Sequence, residues 1–169
     1  MRLLVVDDHE VVRRGVRSLL TDQEGWEVCA EAVDGQDALE KARELKPDLI
    51  VMDVSMPRLN GLEATRQVRN LLPQCEVVIL SQHENAEMAR QTLKAGARGY
   101  VVKSSISRDL ISAVVKASRH EYFFDPPCWI KPQLLTPTFT KYCNVARPLK
   151  RRLERVRNAF ANWPNISPL

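Results

Sequence analysis

The chain has 169 residues, a formal net charge of +4 and four cysteines, a length suited to one domain with its own core plus an appendage. No apolar run reaches the roughly 18 residues a membrane span requires, and no charged start with an apolar core and small-residue cleavage site marks a secreted precursor. Cys29, Cys75, Cys128 and Cys143 form neither a CxxC pair nor a metal-ligand spacing, so a cytoplasmic protein with reduced thiols is expected.

Arg2–Val6 is a short apolar run that ends in Asp7-Asp8. Val11, Val12, Val16, Leu19 and Leu20 then fall at helical spacing over residues 10–21. Trp26–Ala32 alternates like a strand, with Trp26 packing at its entrance, and Asp34-Gly35 turns the chain into a helix from Gln36 to Leu45. Leu49–Met52 is a strand that ends at Asp53, and Pro57 and Gly61 punctuate the loop before a helix over Leu62–Leu71. Glu76–Leu80 is a strand ending at Ser81, followed by a helix over Asn85–Ala95 that Gly96 terminates. Arg98–Val102 is a strand ending at Lys103, and Ile106–Ser118 closes the series as an amphipathic helix.

Each strand is followed by a helix, five times over, which predicts an α/β fold with a doubly wound parallel sheet. The strands read as continuous apolar runs, as strands covered on both faces should. In such a sheet, ligands bind beyond the carboxyl ends of the strands. Asp7, Asp8, Asp53, Ser81 and Lys103 all fall at those ends. Singly, each has an ordinary explanation as a cap or a solvated turn. Together they put three carboxylates, a hydroxyl and an ammonium on one edge. Carboxylates held together repel, so a cation is expected to offset them, and hard oxygen ligands suit Mg2+. No GxxxxGK[ST] loop and no GxGxxG follows the first strand, which argues against nucleotide binding.

The segments VVDD (5–8), LIVMDVSMPRLNG (49–61), VVILSQHE (77–84) and GARGYVVKSS (96–105) resemble the receiver domain of two-component response regulators. The ending AVVKASRHEYFFDP (113–126) resembles the LuxR/NarL-type subfamily, whose receivers precede a helix-turn-helix. The resemblance implies a flavodoxin-like (βα)5 fold with strand order 2-1-3-4-5 over residues 1–122. It implies that Asp53 is the nucleophile that accepts a phosphoryl group from a sensor histidine kinase. Asp8 would ligate Mg2+ directly, Asp7 would orient a bound water, and Asp53 and the Ser55 backbone carbonyl would complete the metal site. Lys103 would pair with the phosphoryl oxygens, and Ser81 would donate to one of them after moving inward. Tyr100 matches the aromatic switch position that follows Ser81. The surface around Ala86–Tyr100 and Ile106–Lys116 would change, and that face or its neighbour would form a homodimer. His9 and His83 fall on loops of the same edge, where a ligand role is not favoured.

Two function classes follow. The first is a phosphorylation-dependent signalling switch whose only chemistry is self-phosphorylation and slow autodephosphorylation, not turnover of a substrate. The alternative is a phosphorylation-independent interaction module. The complete acidic set with Ser81 and Lys103 favours the first.

Residues 123–169 differ in kind. To position 120 the chain holds 17 basic and 18 acidic residues; beyond it, 8 and 3, with seven of the ten prolines. This basic, Pro-rich tail has no helix-turn-helix pattern, so DNA binding by this chain is not expected. A short helix over Lys150–Phe160 would carry Lys150, Arg151, Arg152, Arg155 and Arg157, a solvated charge run in preference to a nucleic-acid contact. Residues Asn158–Leu169 are compatible with codons that spell ERFRELAEYLTP in a shifted frame, which resembles the linker helix of this subfamily. The tail is therefore expected to be translated out of frame from near Asp125–Pro127, and the coding DNA tests this.

Overall fold

The computed structural model describes residues 1–124; the expectations for the tail lie outside the described residues. In chain order the elements are β1 (Arg2–Val6), α1 (Glu10–Thr21), β2 (Glu27–Ala32), α2 (Gly35–Leu45), β3 (Leu49–Asp53), α3 (Gly61–Leu71), β4 (Glu76–Ser81), α4 (Ala86–Lys94), β5 (Gly99–Val102), a 3-10 turn (Lys103–Ser105), α5 (Ile106–Ser118) and β6 (Phe123–Phe124). The sheet order is β2-β1-β3-β4-β5-β6 with every neighbouring pair parallel. The flavodoxin-like fold and the 2-1-3-4-5 order expected from sequence are present, and β6 extends them by one strand.

Alternation along the strands builds two cores. Leu4, Val6, Ile50, Met52, Val77, Ile79, Tyr100 and Val102 face α2, α3 and α4, against Ala38, Leu39, Ala42, Ala64, Val68 and Ala89. Leu3, Val5, Leu49, Val51, Val78, Leu80 and Val101 face α1 and α5, against Val16, Leu20, Leu110, Ala113, Val114 and Ala117. Trp26 packs on the edge of this second core, as its place before β2 predicts. Small alanines on the helices let them lie close on the branched strand residues. β2 is the exception to the continuous apolar pattern: it is an edge strand, partly open to solvent.

Side-chain caps set where the helices begin. Asp34 accepts from the Gln36 and Asp37 amides, Asn60 from Glu63 and Asn85 from Met88. Sequence spacing placed Asn85 within its helix; it is the cap one residue outside. Gly96, at φ +95°, lets the chain leave α4 in a left-handed conformation, as expected.

β6 was not expected. His120 adopts φ +60° after α5, and its ring nitrogen lies 2.8 Å from the buried Glu76 carboxylate. The turn brings Phe123 back alongside β5, where its amide donates to the Arg98 carbonyl at 2.9 Å. Two residues carry no periodicity, which is why hydrophobic spacing does not reveal the strand.

Candidate functional site

The sheet delivers its polar groups to one edge. Asp7 follows β1, Asp53 ends β3, Ser81 ends β4, and Lys103 opens the 3-10 turn after β5. The Lys103 ammonium lies 2.6 Å from Asp7 Oδ2 and 3.1 Å from Asp53 Oδ1. Their side chains are only 12%, 1% and 2% exposed. Asp7 Oδ2, Asp53 Oδ1 and Lys103 Nζ meet by charge, without hydrogen bonds of regular geometry.

Burial pushes the Asp53 carboxyl above its usual 3.8; Lys103 opposes that rise, and the Asp7 and Asp8 charges add to it. Burial alone would lower the Lys103 ammonium, but its contacts with Asp7 and Asp53 outweigh that and hold it above the usual 10.5. Two buried carboxylates thus share one cation and retain a net negative charge.

The turn after β1 supplies a second cluster. Asp7 Oδ1 accepts from the His9 amide at 2.9 Å, and His9 Nδ1 lies 2.8 Å from Asp8 Oδ1. One ligand atom from each of Asp7, Asp8 and His9 lies within 4.8 Å of the others. A carboxylate-rich set with a buried oxygen lacking a regular hydrogen bond is the chemistry a hard divalent cation completes. Ser55 is exposed in the turn two residues beyond Asp53.

Ser81 is buried and turned toward the following loop. Its Oγ accepts from the His83 amide at 3.1 Å and donates to the His83 carbonyl at 3.3 Å. The same carbonyl accepts from the hydroxyl of the buried Tyr100. Ser81 and Tyr100 therefore share one acceptor, a main-chain atom that a reading of side-chain types misses. Sequence spacing also misses Arg13, which reaches the Asp7 carbonyl, and Arg58, which pairs with the buried α2 cap Asp34.

Gly61 fixes the position of Asp53. Its amide donates to the Val54 carbonyl at 2.9 Å, and a Cβ there would overlap the Asp53 carbonyl oxygen. Gly61→Ala is expected to push α3 off the end of β3. The cost is about 2 kcal/mol or more, read as a lower denaturation midpoint, with slower modification of Asp53.

A family model, the response regulator receiver domain, matches residues 3–115. The chain belongs to this family. The response regulator protein VraR of Staphylococcus aureus is 41% identical over 131 residues, which is 78% of this chain and 63% of VraR. The chain thus matches less than two thirds of that relative's length. A LuxR-family two-component response regulator from Aurantimonas sp. SI85-9A1 aligns with TM-score 0.70 and 32% identity over 86% of this chain and 96% of that one. The signal receiver domain of NarL from Mycobacterium tuberculosis aligns with TM-score 0.66 and 33% identity over 70% and 95%. The receiver is of the LuxR/NarL type, as the motifs implied, and belongs to signal transduction through two-component systems. Among its described residues, no helix is long and apolar enough to cross a membrane.

Proposed function

We propose that this receiver accepts a phosphoryl group on Asp53 from the phosphohistidine of a partner sensor histidine kinase in the cytoplasm. The observation that carries the reading is the buried Asp7–Lys103–Asp53 arrangement at the carboxyl edge of the sheet. An Asp53 carboxylate oxygen attacks phosphorus, the phosphorus–nitrogen bond of the donor breaks, and the leaving imidazole keeps the electron pair. Asp7, Asp8, Asp53 and the Ser55 carbonyl would hold Mg2+, which supplies positive charge to the phosphoryl oxygens when bound. Lys103 turns from the carboxylates toward a phosphoryl oxygen and neutralises part of the added charge.

The added group brings nearly two negative charges and new acceptor oxygens. Ser81 exchanges its His83 partners for one of those oxygens, and Tyr100, bonded to the same His83 carbonyl, follows. The differential contacts bias the face formed by Ala86–Tyr100 and Ile106–Lys116. A complete reversal of a 1:99 equilibrium requires about 5.5 kcal/mol, within reach of two or three charge-assisted hydrogen bonds. A homodimer through this face or its neighbour would be the output. In full-length relatives the output would be control of transcription.

Intact mass after incubation with Mg2+ and acetyl phosphate tests the acceptor chemistry. One added phosphoryl group is expected; none, in folded protein, would favour the phosphorylation-independent module. Ser81→Ala separates acceptance from response. It should still gain the adduct while losing on the order of 1.5–3 kcal/mol of switching free energy. Hydrogen exchange over residues 86–100 should then respond more weakly to phosphorylation, whereas a full response in the variant would remove Ser81 from the switch.

A further inference from the structure

Arg13, in the first turn of α1, ties the turn after β1 to β2. Its Nη1 donates to the Asp7 carbonyl at 2.8 Å, and its Nε lies 3.3 Å from Glu31 Oε2 on β2. The side chain is only 13% exposed, and its amide donates to the His9 carbonyl at 3.0 Å. Asp7 is held from its other sides as well: its amide donates to the Ala32 carbonyl at 3.2 Å and its Oδ1 accepts from the His9 amide. The planar guanidinium serves two acceptors in fixed directions, which a lysine ammonium does not reproduce.

We propose that Arg13 is a positioning residue for the cation site: it clamps the turn that presents Asp7 and Asp8, using Glu31 as its anchor. This rests on the reading above that those carboxylates hold Mg2+. Partners behind metal ligands fix ligand direction, and their loss weakens metal affinity. The sign of the effect separates positioning from charge. Loss of a positive charge beside a cation site by itself strengthens cation binding, whereas loss of the clamp weakens it. Arg17 supplies the control, because it pairs with the same Glu31 at 2.8 Å but is 57% exposed.

The experiment is calorimetric titration of the full chain with Mg2+ for wild type, Arg13→Gln, Arg17→Gln and Glu31→Gln, with thermal melts in the absence of Mg2+. Arg13→Gln is expected to weaken Mg2+ roughly tenfold, Glu31→Gln to weaken it less, and Arg17→Gln to leave it unchanged or slightly tighter. Unchanged or tighter binding in folded Arg13→Gln overturns the proposal, as does an equal loss in Arg17→Gln. If Arg13→Gln does not fold, unchanged binding in Glu31→Gln overturns it. Wild type that neither binds Mg2+ nor gains the phosphoryl group would instead refute the reading on which the proposal rests.

Discussion

Asp53→Asn is expected to abolish the phosphoryl adduct and, in the absence of Mg2+, to raise the thermal midpoint. The first effect follows from chemistry: an amide oxygen is not a nucleophile of carboxylate strength, and no second carboxylate ends β3. The second follows from charge. Asp53 is 2% exposed and faces Asp7 across a single ammonium. Because burial raises its pKa above the usual 3.8, the folded chain binds a proton more readily than the unfolded chain. The contribution of this group to stability is therefore fullest below 3.8 and declines as pH rises through the folded value. The amide never ionises, so the variant should match wild type in acid and exceed it near neutrality. A gain of 1 kcal/mol in a chain of this size moves the midpoint by about 2–4 °C. Melts across pH, without Mg2+, check this; an advantage that persisted unchanged below 3.8 would assign it to something other than ionisation.

Lys103→Met should have the opposite and larger effect. The ammonium is the buried cation facing both carboxylates, and its removal leaves two like charges in a low-dielectric site. Removing one partner from a buried ion pair costs about 3–5 kcal/mol. Since the Lys103 pKa is raised above 10.5, its contribution is fully present below that value and is lost only as pH rises through the folded pKa. The variant deficit should thus span the neutral range. It should shrink in acid, where Asp53 takes up a proton, and shrink again on addition of Mg2+. Chemical denaturation with and without Mg2+ measures both, and a deficit indifferent to the cation would contradict the placement of Mg2+ beside these carboxylates.

The two substitutions form one charge argument. Deleting the anion leaves a neutral Asp7–Lys103 pair, while deleting the cation leaves a bare dianion. The arrangement sacrifices stability in the resting state to keep Asp53 ionisable and close to a positive charge.

Much of this was legible in the sequence because hydrophobic period reports which face of an element is buried. β1 to β5 and α1 to α5 all appear within a residue or two of their expected bounds. The convergence of Asp7, Asp53, Ser81 and Lys103 followed from parallel strand direction alone. Much of what escaped depends on main-chain atoms. The Asp7 carbonyl bound by Arg13 and the His83 carbonyl shared by Ser81 and Tyr100 are the same atoms in every residue type. Gly61 was visible as loop punctuation, but its fit against the Asp53 carbonyl requires the packed helix. β6 escaped for a further reason: two residues bonded to a strand more than twenty positions earlier have no local pattern.

β6 also has a bearing on association between molecules. A bare sheet margin offers a row of free amides and carbonyls on which another chain can assemble. The margin at β2 carries Glu27, Glu31 and the arginines that meet Glu31, charges that discourage such growth. The margin at β5 reads Gly99-Tyr100-Val101-Val102, with no charge along it. Phe123 and Phe124 pair with Gly99 and Tyr100, the first half of that margin, so a chain cut at residue 122 would lengthen the uncharged template, and a greater tendency to edge-to-edge aggregation would be the consequence.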